Sequence, residues 1–140
     1  MKRVLLMLVV VFAVFGCGVQ GTETIVAGPS KEDVASFDTG KEARAWLATP
    51  GNGLFEMGND EGRKWVDRFY AAGAPSVRIC DPSKLTEEST GEIAATIGIE
   101  FPTGKAERER VLAVVNELEK LADYDLSKDT GQKFVLLNVD

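Results

Sequence analysis

The amino-acid sequence predicts an α+β fold, a small sandwich in which helices cover a mainly antiparallel sheet. Three stretches near the C-terminus carry this prediction. Residues 93–101 alternate between the two faces of a strand, residues 105–122 repeat apolar side chains at helical spacing, and residues 133–139 are largely apolar. A strand, a covering helix and a closing strand therefore form the framework to which the preceding elements add.

The first 15 residues have the features of a targeting segment that precedes the folded domain. The chain begins with Met1, Lys2 and Arg3, and residues 4–15 then carry no charged or polar side chain. A bilayer-spanning helix takes about 20 apolar residues, so this run is too short to span. A basic start followed by an apolar run of about 7–15 residues is typical of a secretory signal peptide.

The apolar run ends in Val14-Phe15-Gly16-Cys17. This tetrapeptide resembles the lipobox of bacterial lipoproteins, which has an aliphatic residue, a small residue, Gly or Ala, and an invariant Cys; Phe15 departs from that pattern. The resemblance implies that residues 1–16 are a cleaved signal peptide and that Cys17 carries a diacylglycerol on its thiol. Acyl chains would anchor the protein to the cell membrane or outer membrane, with its domain on the periplasmic or extracellular face. The alternatives are an ordinary signal peptide with an incidental cysteine, or an uncleaved buried helix.

Residues 17–36 are expected to be the lipidated cysteine and a flexible tether, which leaves residues 37–140 as a single domain. The tether is rich in Gly and small polar residues and has no apolar period. Ser30 and Asp33 have capping-box spacing, but few apolar residues follow them. Any helix at this point should therefore have only one or two turns.

Two short amphipathic segments are predicted before the sheet. In the first, Thr39 and Glu42 form a capping box that begins a helix. Trp46 anchors the apolar face of this helix. Pro50 ends it by residue 49, because the proline ring disfavours helical geometry in the residue before it.

The second helix follows a glycine-rich loop. Asn59 or Asp60 would cap it, and Gly73 supplies the left-handed residue that ends it. Its buried stripe consists of Trp65, Val66, Phe69 and Ala72. In the preceding loop, residues 54–57 form either a very short strand or an irregular segment. A phosphate-binding loop is disfavoured there because no lysine follows at P-loop spacing.

Two strands with alternating faces precede the long helix. Residues 76–80 place Val77 and Ile79 on one face and Arg78 and Cys80 on the other. The strand at 93–101 has five apolar side chains on its core face: Ile93, Ala95, Ile97, Ile99 and Phe101. Its other face consists of three small residues and one acid: Ala94, Thr96, Gly98 and Glu100. That second face can accept a closely packed neighbour, either the chain's own Trp46 helix or a partner.

The closing helix and strand complete the predicted sheet. Thr103 can cap a helix whose apolar stripe comprises Val111, Leu112, Val114, Val115, Leu118, Leu121 and Ala122. The charged residues of the stretches 107–110 and 117–120 lie outside that stripe. Residues 134–139 carry apolar side chains at both odd and even positions, and therefore on both faces, which is typical of a central strand. A right-handed crossover would make this strand parallel to 93–101, and a fourth strand at 54–57 would give a ferredoxin-like, split βαβ arrangement.

Composition and charge exclude several classes of function. The chain has no histidine, which removes Ser-His-Asp and Cys-His catalysis and the commonest ligand of transition metals. The net charge is −6, and cleavage after residue 16 would leave 14 basic against 22 acidic residues, a net charge of −8. Phosphate binding needs a basic face, so no nucleic-acid partner is expected.

Two motif-like stretches do not predict a cofactor or a metal. Residues 98–106 lie between a strand and a helix, but their spacing is one residue too long for a P-loop and alanine replaces its Ser or Thr. Residues 123–129 have oxygen ligands at alternate positions, as in a calcium loop. However, Lys128 replaces the required glycine and Phe134 replaces the bidentate glutamate. A polar linker is the favoured interpretation of 123–129, with a weak calcium site as the alternative.

Cys80 and three carboxylates remain as candidates for chemistry. Cys80 is either a small apolar residue or, with Cys17 lipidated, an unpaired thiol that forms an intermolecular disulfide. Glu56, Asp81 and Glu100 lie near strand ends and would be the acids and bases of a hydrolase or transferase.

Taken together, these features favour a lipid-anchored envelope protein whose domain binds or supports another macromolecule without catalysis. Its expected partners are the membrane, through acyl chains on Cys17, and another envelope protein. Two alternatives stay open. One is an envelope enzyme that uses the carboxylates, and the other is a sensor with a small-ligand pocket on the Gly98 face.

Overall fold

The computed structural model describes residues 28–139 and confirms the α+β fold. In chain order its elements are α1 (Lys31–Thr39), β1 (Lys41–Glu42), α2 (Ala43–Leu47), β2 (Gly53–Leu54), α3 (Gly58–Ala72), β3 (Val77–Cys80), β4 (Ile93–Ala94), β5 (Thr96–Glu100), α4 (Lys105–Leu121) and β6 (Phe134–Asn138). The predicted signal peptide and Cys17 lie outside the described residues. Within residues 28–139, no helix has both the length and the apolar character that crossing a membrane requires.

Four strands form one antiparallel sheet in the order β1-β3-β5-β6, as the predicted fold class requires. A second, two-stranded sheet pairs β2 with β4 in parallel. The apolar core lies on the sheet face that carries Ile79, Ile97 and Ile99, and side chains of α2, α3 and α4 complete it. Helix α1 lies on the opposite face, so the sheet is covered on both sides.

The short helix anchored by Trp46 is present as α2, and Trp46 is buried. Its cap differs from the prediction. The carboxylate of Glu42 accepts hydrogen bonds from the amides of Arg44 and Ala45, at 3.2 and 2.7 Å. Glu42 itself is thus the N-terminal cap, and the capping box that was expected to begin at Thr39 is wrong.

Helix α3 also ends as predicted, at Gly73, whose φ of 110° is in the left-handed region. Met57 is the N-cap residue and no side chain caps the first turn, so the predicted cap by Asn59 or Asp60 is wrong. The Asn59 side chain instead donates to two backbone carbonyls, one at the end of α2 and one in the loop after it, both at 2.7 Å. Asn59 therefore links α3 to α2 and to the loop after α2, and it does not cap its own helix.

Residues 93–101 form two strands instead of the predicted one. The chain bends at Ala95, and the expected alternation holds only beyond that point. Before the bend, Ala94 is buried and Ile93 is half-buried, the reverse of the prediction. The cause is pairing outside the main sheet. Strand β4 pairs with β2, and Ile93 exchanges two backbone hydrogen bonds with Ser83, at 2.7 and 2.9 Å.

Strand β6 is antiparallel to β5, with Leu137 opposite Ile97, so the predicted parallel crossover is wrong. The reason is the length of the segment between α4 and β6. Helix α4 has 17 residues and is about 25 Å long, whereas residues 122–133 can span up to about 40 Å. This return segment runs back along α4, so β6 enters the sheet at the end where β5 left it. A split βαβ, ferredoxin-like sheet needs parallel strands here and is not formed.

Two polar contacts hold the return segment (residues 122–133) against α4. The carboxylate of Glu119 accepts hydrogen bonds from the Ser127 amide, at 2.7 Å, and from the Ser127 hydroxyl. The guanidinium of Arg108 donates to both carboxylate oxygens of Asp129, with N–O distances between 2.6 and 3.2 Å. Charged hydrogen bonds of this two-pronged kind are among the stronger ones in proteins. They fix the direction in which the chain returns.

Because the return segment packs on α4, the side chains that this helix buries differ in part from the predicted stripe. Val111, Val115 and Leu118 are buried as expected. Glu119 was placed outside the apolar stripe, but it is only 5% exposed because the return segment covers it. Leu121 was placed inside the stripe and is 74% exposed at the last turn. The cap is also different, since Gly104 rather than Thr103 precedes the first turn.

The Arg108–Asp129 pair should make stability depend on pH. Hydrogen bonds from Arg108 lower the pKa of Asp129 to about 2, below the value of about 3.9 for an unperturbed aspartate. Because the folded-state pKa is the lower one, the pair stabilises the fold above about pH 4 and this contribution is lost as the pH falls through about 2. We expect Asp129→Asn to lower the Tm at neutral pH, and the difference from the parent chain to shrink between about pH 4 and pH 2. Thermal unfolding followed by circular dichroism across this range, with Asp125→Asn as the control, measures it. A Tm difference that is independent of pH would contradict this prediction.

Helix α1 covers the small-residue face of the sheet at Gly98, so the Trp46 helix, one of the two occupants considered for this face, does not fill it. A Cβ atom on Gly98 would lie only 2.6 Å from Cδ2 of Phe37, which means that the ring packs directly on the glycine. The Phe37 ring also stacks on Phe134 of β6, with centroids 4.4 Å apart. The Ser30 capping box begins this helix. Helix α1 starts at Lys31, six residues before the domain boundary expected from the sequence.

Candidate functional site

The three carboxylates selected from the sequence do not meet in one place. Asp81 follows β3 at the end of the sheet where Cys80 pairs with Thr96. Glu100 ends β5 at the opposite end of the sheet. Glu56 lies in the turn after β2, with a left-handed φ of 58°.

Each of these carboxylates has its own local environment. Asp81 accepts a hydrogen bond from the hydroxyl of Ser36 at 2.7 Å. Glu100 lies 4.0 Å from the ammonium group of Lys133. Glu56 borders a mainly apolar cavity of about 270 Å³ between the β2–α3 turn and the end of α4. A general acid and a general base must both reach the reacting atoms, which these positions do not allow. In the described part of the chain, no group of three or more His, Cys, Asp or Glu side chains is placed to hold a metal ion.

Cys80 is a buried thiol beneath α1, only 1% exposed. Burial raises its pKa, and the carboxylate of Asp81 adds to this effect, while a hydrogen bond with Ser36 opposes it. The thiolate is the reactive form of cysteine, so a raised pKa and burial make this group unreactive. Of the two sequence interpretations, the structure favours the small apolar residue. An intermolecular disulfide would require α1 to leave the sheet.

The two motif-like stretches direct their polar groups into the chain itself. At the start of α4, the carboxylate of Glu107 folds over Gly104 and lies where a side chain at that position would be, so an acidic group covers this turn. In the segment 123–129, the side chains of Ser127 and Asp129 bond to α4 rather than converging on a common point. The polar-linker interpretation of this segment therefore agrees with the geometry.

Within residues 28–139, a groove between α1 and β6 forms an open surface that combines apolar and charged groups. It consists of two adjoining cavities of about 340 and 400 Å³, both lined by Asp33 and Leu136. Each volume lies at the lower end of the range of about 300–1,000 Å³ that is typical of ligand sites. Residues of the stretches 28–36 and 127–132 form its walls, and β6 forms its floor. We call this surface the α1–β6 groove.

Strand β6 is the outer strand of the sheet, so its predicted central position is wrong. Strand β6 is apolar on both faces because α1 covers one face and the core lies against the other. Side chains of Phe134 and Leu136 face α1, while Leu137 enters the core. The strand Phe134–Asn138 has no charge, proline or bulge, the devices with which many proteins protect an exposed strand edge.

The backbone of β6 leaves alternate residues open toward the groove. The amides of Phe101 and Val139 donate to the carbonyls of Lys133 and Ala95, at 2.8 and 2.7 Å, which marks the hydrogen-bonded pairs between β5 and β6. Because such pairs alternate in an antiparallel sheet, every second residue of β6 points its N–H and C=O away from β5. These outward-pointing residues are Phe134, Leu136 and Asn138.

The charge along the α1–β6 groove is uneven. The cavity at the Asn138 end is bordered by three carboxylates, Glu32, Asp33 and Asp81, and by no basic residue of the described chain. Lys128 borders the cavity at the other end. The groove therefore combines an apolar floor with an acidic rim.

Two features of the sequence conceal this site. Residues 31–36 were assigned to a tether because they contain few apolar residues, although Phe37 alone is enough to dock their helix. Strand β6 was read as central because both of its faces are apolar. The Ser30 capping box was the one local signal that pointed to α1, and nothing local indicated that α1 lies against β6.

Comparison of the chain with known proteins gives no match to a protein-family model, to a curated protein or to a solved structure.

Proposed function

We propose that this protein is a lipid-anchored component of the cell envelope whose domain binds another polypeptide without catalysing a reaction. The binding part of the proposal rests on one observation, the α1–β6 groove with its open strand edge. A concave surface suits an extended polypeptide when it has an apolar floor, a polar rim and backbone groups that no other strand of residues 28–139 pairs with. The anchoring part rests on the lipobox resemblance around Cys17.

The two alternatives have less support. An enzyme that uses Glu56, Asp81 and Glu100 would need these groups to converge, and they lie at separate places in the fold. A small-ligand sensor on the Gly98 face would need a pocket over Gly98, but the ring of Phe37 fills that position. The cavities on this face lie beside α1 rather than beneath it.

Anchoring is tested by metabolic labelling of the full chain with a palmitate analogue. We expect label on the parent chain and none on the Cys17→Ala variant, because acylation requires the thiol. Label that is equal in the two chains would contradict the lipid anchor, and it would leave the binding part of the proposal untouched.

Binding through the α1–β6 groove is tested by photo-crosslinking in native membranes. A benzoylphenylalanine at Glu32 places the probe on the rim of the groove, and Glu32 makes no hydrogen bond or ion pair within residues 28–139. The matched control carries the probe at Glu87, an exposed acid in the loop before β4. We expect a discrete protein adduct from the Glu32 position only. The same adducts from both positions, or none from either, would contradict binding through the groove.

A further inference from the structure

We propose that the α1–β6 groove binds its partner by strand addition, and that the partner is an extended segment with Lys or Arg at alternate positions. This inference rests on the proposed binding function and names the mode and chemistry of the ligand. It follows from the backbone groups of β6, from the direction in which its side chains point, and from the charge on the rim.

The backbone of β6 provides the first argument. Phe134, Leu136 and Asn138 each present an N–H and a C=O away from β5, and β6 has no further neighbour within residues 28–139. An added strand would pair with these groups and extend the sheet from four strands to five. Main-chain pairing at a free edge supplies affinity without requiring a particular sequence, and side chains then supply selectivity.

Side-chain direction provides the second argument. Residues opposite each other in neighbouring strands project to the same face of a sheet. Residues of the added strand that lie opposite Leu136 and its alternate neighbours would therefore project toward α1. There they meet the apolar side chain of Leu136 and, beyond it, the carboxylates of Glu32 and Asp33.

The chemistry of that face matches a long basic side chain. Lys and Arg can lay an apolar stem along a surface such as Leu136 and reach a charged group with the terminal cation. The carboxylates of Glu32, Asp33 and Asp81 on the rim would attract that cation. An acidic side chain at the same position would be repelled, and a short polar one would not cover the floor.

A second copy of this chain is a poorer occupant. Antiparallel pairing of two β6 strands about Leu136 would place both α1 helices on the same face of one continuous sheet. The first turns of both helices, with Glu32 and Asp33 in each, would then meet at the joint. Like charges at close range are unfavourable, so the rim that attracts a basic strand opposes this dimer.

The experiment uses the full-length chain purified in detergent and three labelled nine-residue peptides. One alternates Lys with Val, one alternates Glu with Val, and one has the Lys/Val composition in a scrambled order. Fluorescence anisotropy measures binding, and hydrogen exchange measures protection of the β6 amides. We expect the alternating Lys/Val peptide to bind and to protect the amides of Leu136 and Asn138, and the other two peptides to bind at least about tenfold more weakly.

N-methylation of the peptide tests strand pairing without altering the protein. In an added strand, the amides of every second residue face β6 and the remaining amides face solvent. Two versions of the Lys/Val peptide carry methyl groups on either the Lys or the Val amides. We expect one version to lose binding and the other to keep it, and the version that loses it reports the orientation of the strand. Equal effects of the two methylations would overturn strand addition.

Charge variants test the role of the rim. The double variant Glu32→Gln, Asp81→Asn removes two carboxylates and keeps the oxygen that accepts the Ser36 hydrogen bond. We expect it to bind the Lys/Val peptide about threefold to tenfold more weakly at low salt, with the same thermal stability as the parent. The variant Glu87→Gln, Glu88→Gln removes two charges outside the groove and should bind normally.

The outcomes separate this inference from the proposed function. If the photo-crosslinked partner exists but the Lys/Val and Glu/Val peptides bind equally, the basic specificity is wrong while the binding function stands. If Leu136 and Asn138 are already protected in the free chain, the edge is occupied by the chain itself or by a second copy, and the inference is overturned. If no peptide binds and no adduct forms, this inference and the binding part of the proposed function both fail.

Discussion

Replacing Phe37 with alanine is expected to lower the free energy of unfolding by about 3–5 kcal/mol, the usual loss for a buried phenylalanine. The ring is the main apolar contact of α1, since it packs on Gly98 and stacks on Phe134. The matched control is Val34→Ala on the same helix, where the side chain is 38% exposed. This control should change stability by less than about 0.5 kcal/mol. Chemical denaturation of the full chain, followed by circular dichroism, measures both values.

The pair of Phe37 and Gly98 also allows a double-mutant cycle. Gly98→Ala places a methyl group 2.6 Å from the Phe37 ring, and overpacking of this kind typically costs about 1–3 kcal/mol. In the Phe37→Ala background the methyl group has room, so its cost should be much smaller. Additive effects of the two substitutions, or a Phe37→Ala chain as stable as Val34→Ala, would show that α1 does not pack on the sheet in this way.

Gly91→Ala is expected to destabilise the domain by about 3 kcal/mol, because the new methyl group would overlap backbone atoms. A Cβ atom on Gly91 would overlap sterically with the carbonyl group of Gly51 and lie 2.7 Å from the amide nitrogen of Asn52. These overlapping atoms belong to the backbone, so no change of side-chain rotamer can relieve the overlap. The two loops must separate, which breaks the hydrogen bond from the Glu92 amide to the Asn52 side chain, 2.9 Å long.

The control for this prediction is another glycine-to-alanine change. A Cβ on Gly28 would meet no atom within 4 Å, so Gly28→Ala should leave stability within about 0.5 kcal/mol of the parent. The same denaturation experiment compares the two variants. Equal stability of Gly91→Ala and Gly28→Ala would mean that the loops around residues 51 and 91 do not touch.

Local patterns were sufficient for elements that are organised by their own sequence. The apolar stripe of α3, its left-handed end at Gly73 and the alternation of Val77 and Ile79 were predicted and are present. Each depends on residues within one or two turns of each other, where the spacing of side chains determines which face is buried. The caps were less predictable. A residue such as Asn59 can bond either to its own helix or to a neighbouring loop.

Features set by distant parts of the chain were predicted wrongly. The direction of β6 depends on whether residues 122–133 turn back along α4, and that choice is made by contacts such as Arg108 with Asp129. The expectation of a parallel strand takes for granted a short connection after the helix, whereas the crossover rule gives only the handedness of a connection between strands that are already parallel. The expectation fails here for a physical reason, because a return segment long enough to retrace the helix lets the next strand run antiparallel.

The candidate site belongs to this second group. The α1–β6 groove exists because the first helix and the last strand lie side by side, and no spacing in the sequence expresses that contact. Its parts could be recognised separately: a capping box at Ser30, a small residue at Gly98 and an apolar strand near the C-terminus. Their combination into one surface became visible only with the fold.

The contact between Phe37 and Phe134 has a consequence for biogenesis. These rings lie near opposite ends of the described chain, so the layer that α1 adds to the sheet cannot form until the C-terminal strand has been synthesised. A contact between residues so far apart in the sequence forms slowly compared with local structure. A nascent chain would therefore complete this layer of the fold only after Phe134 has been synthesised.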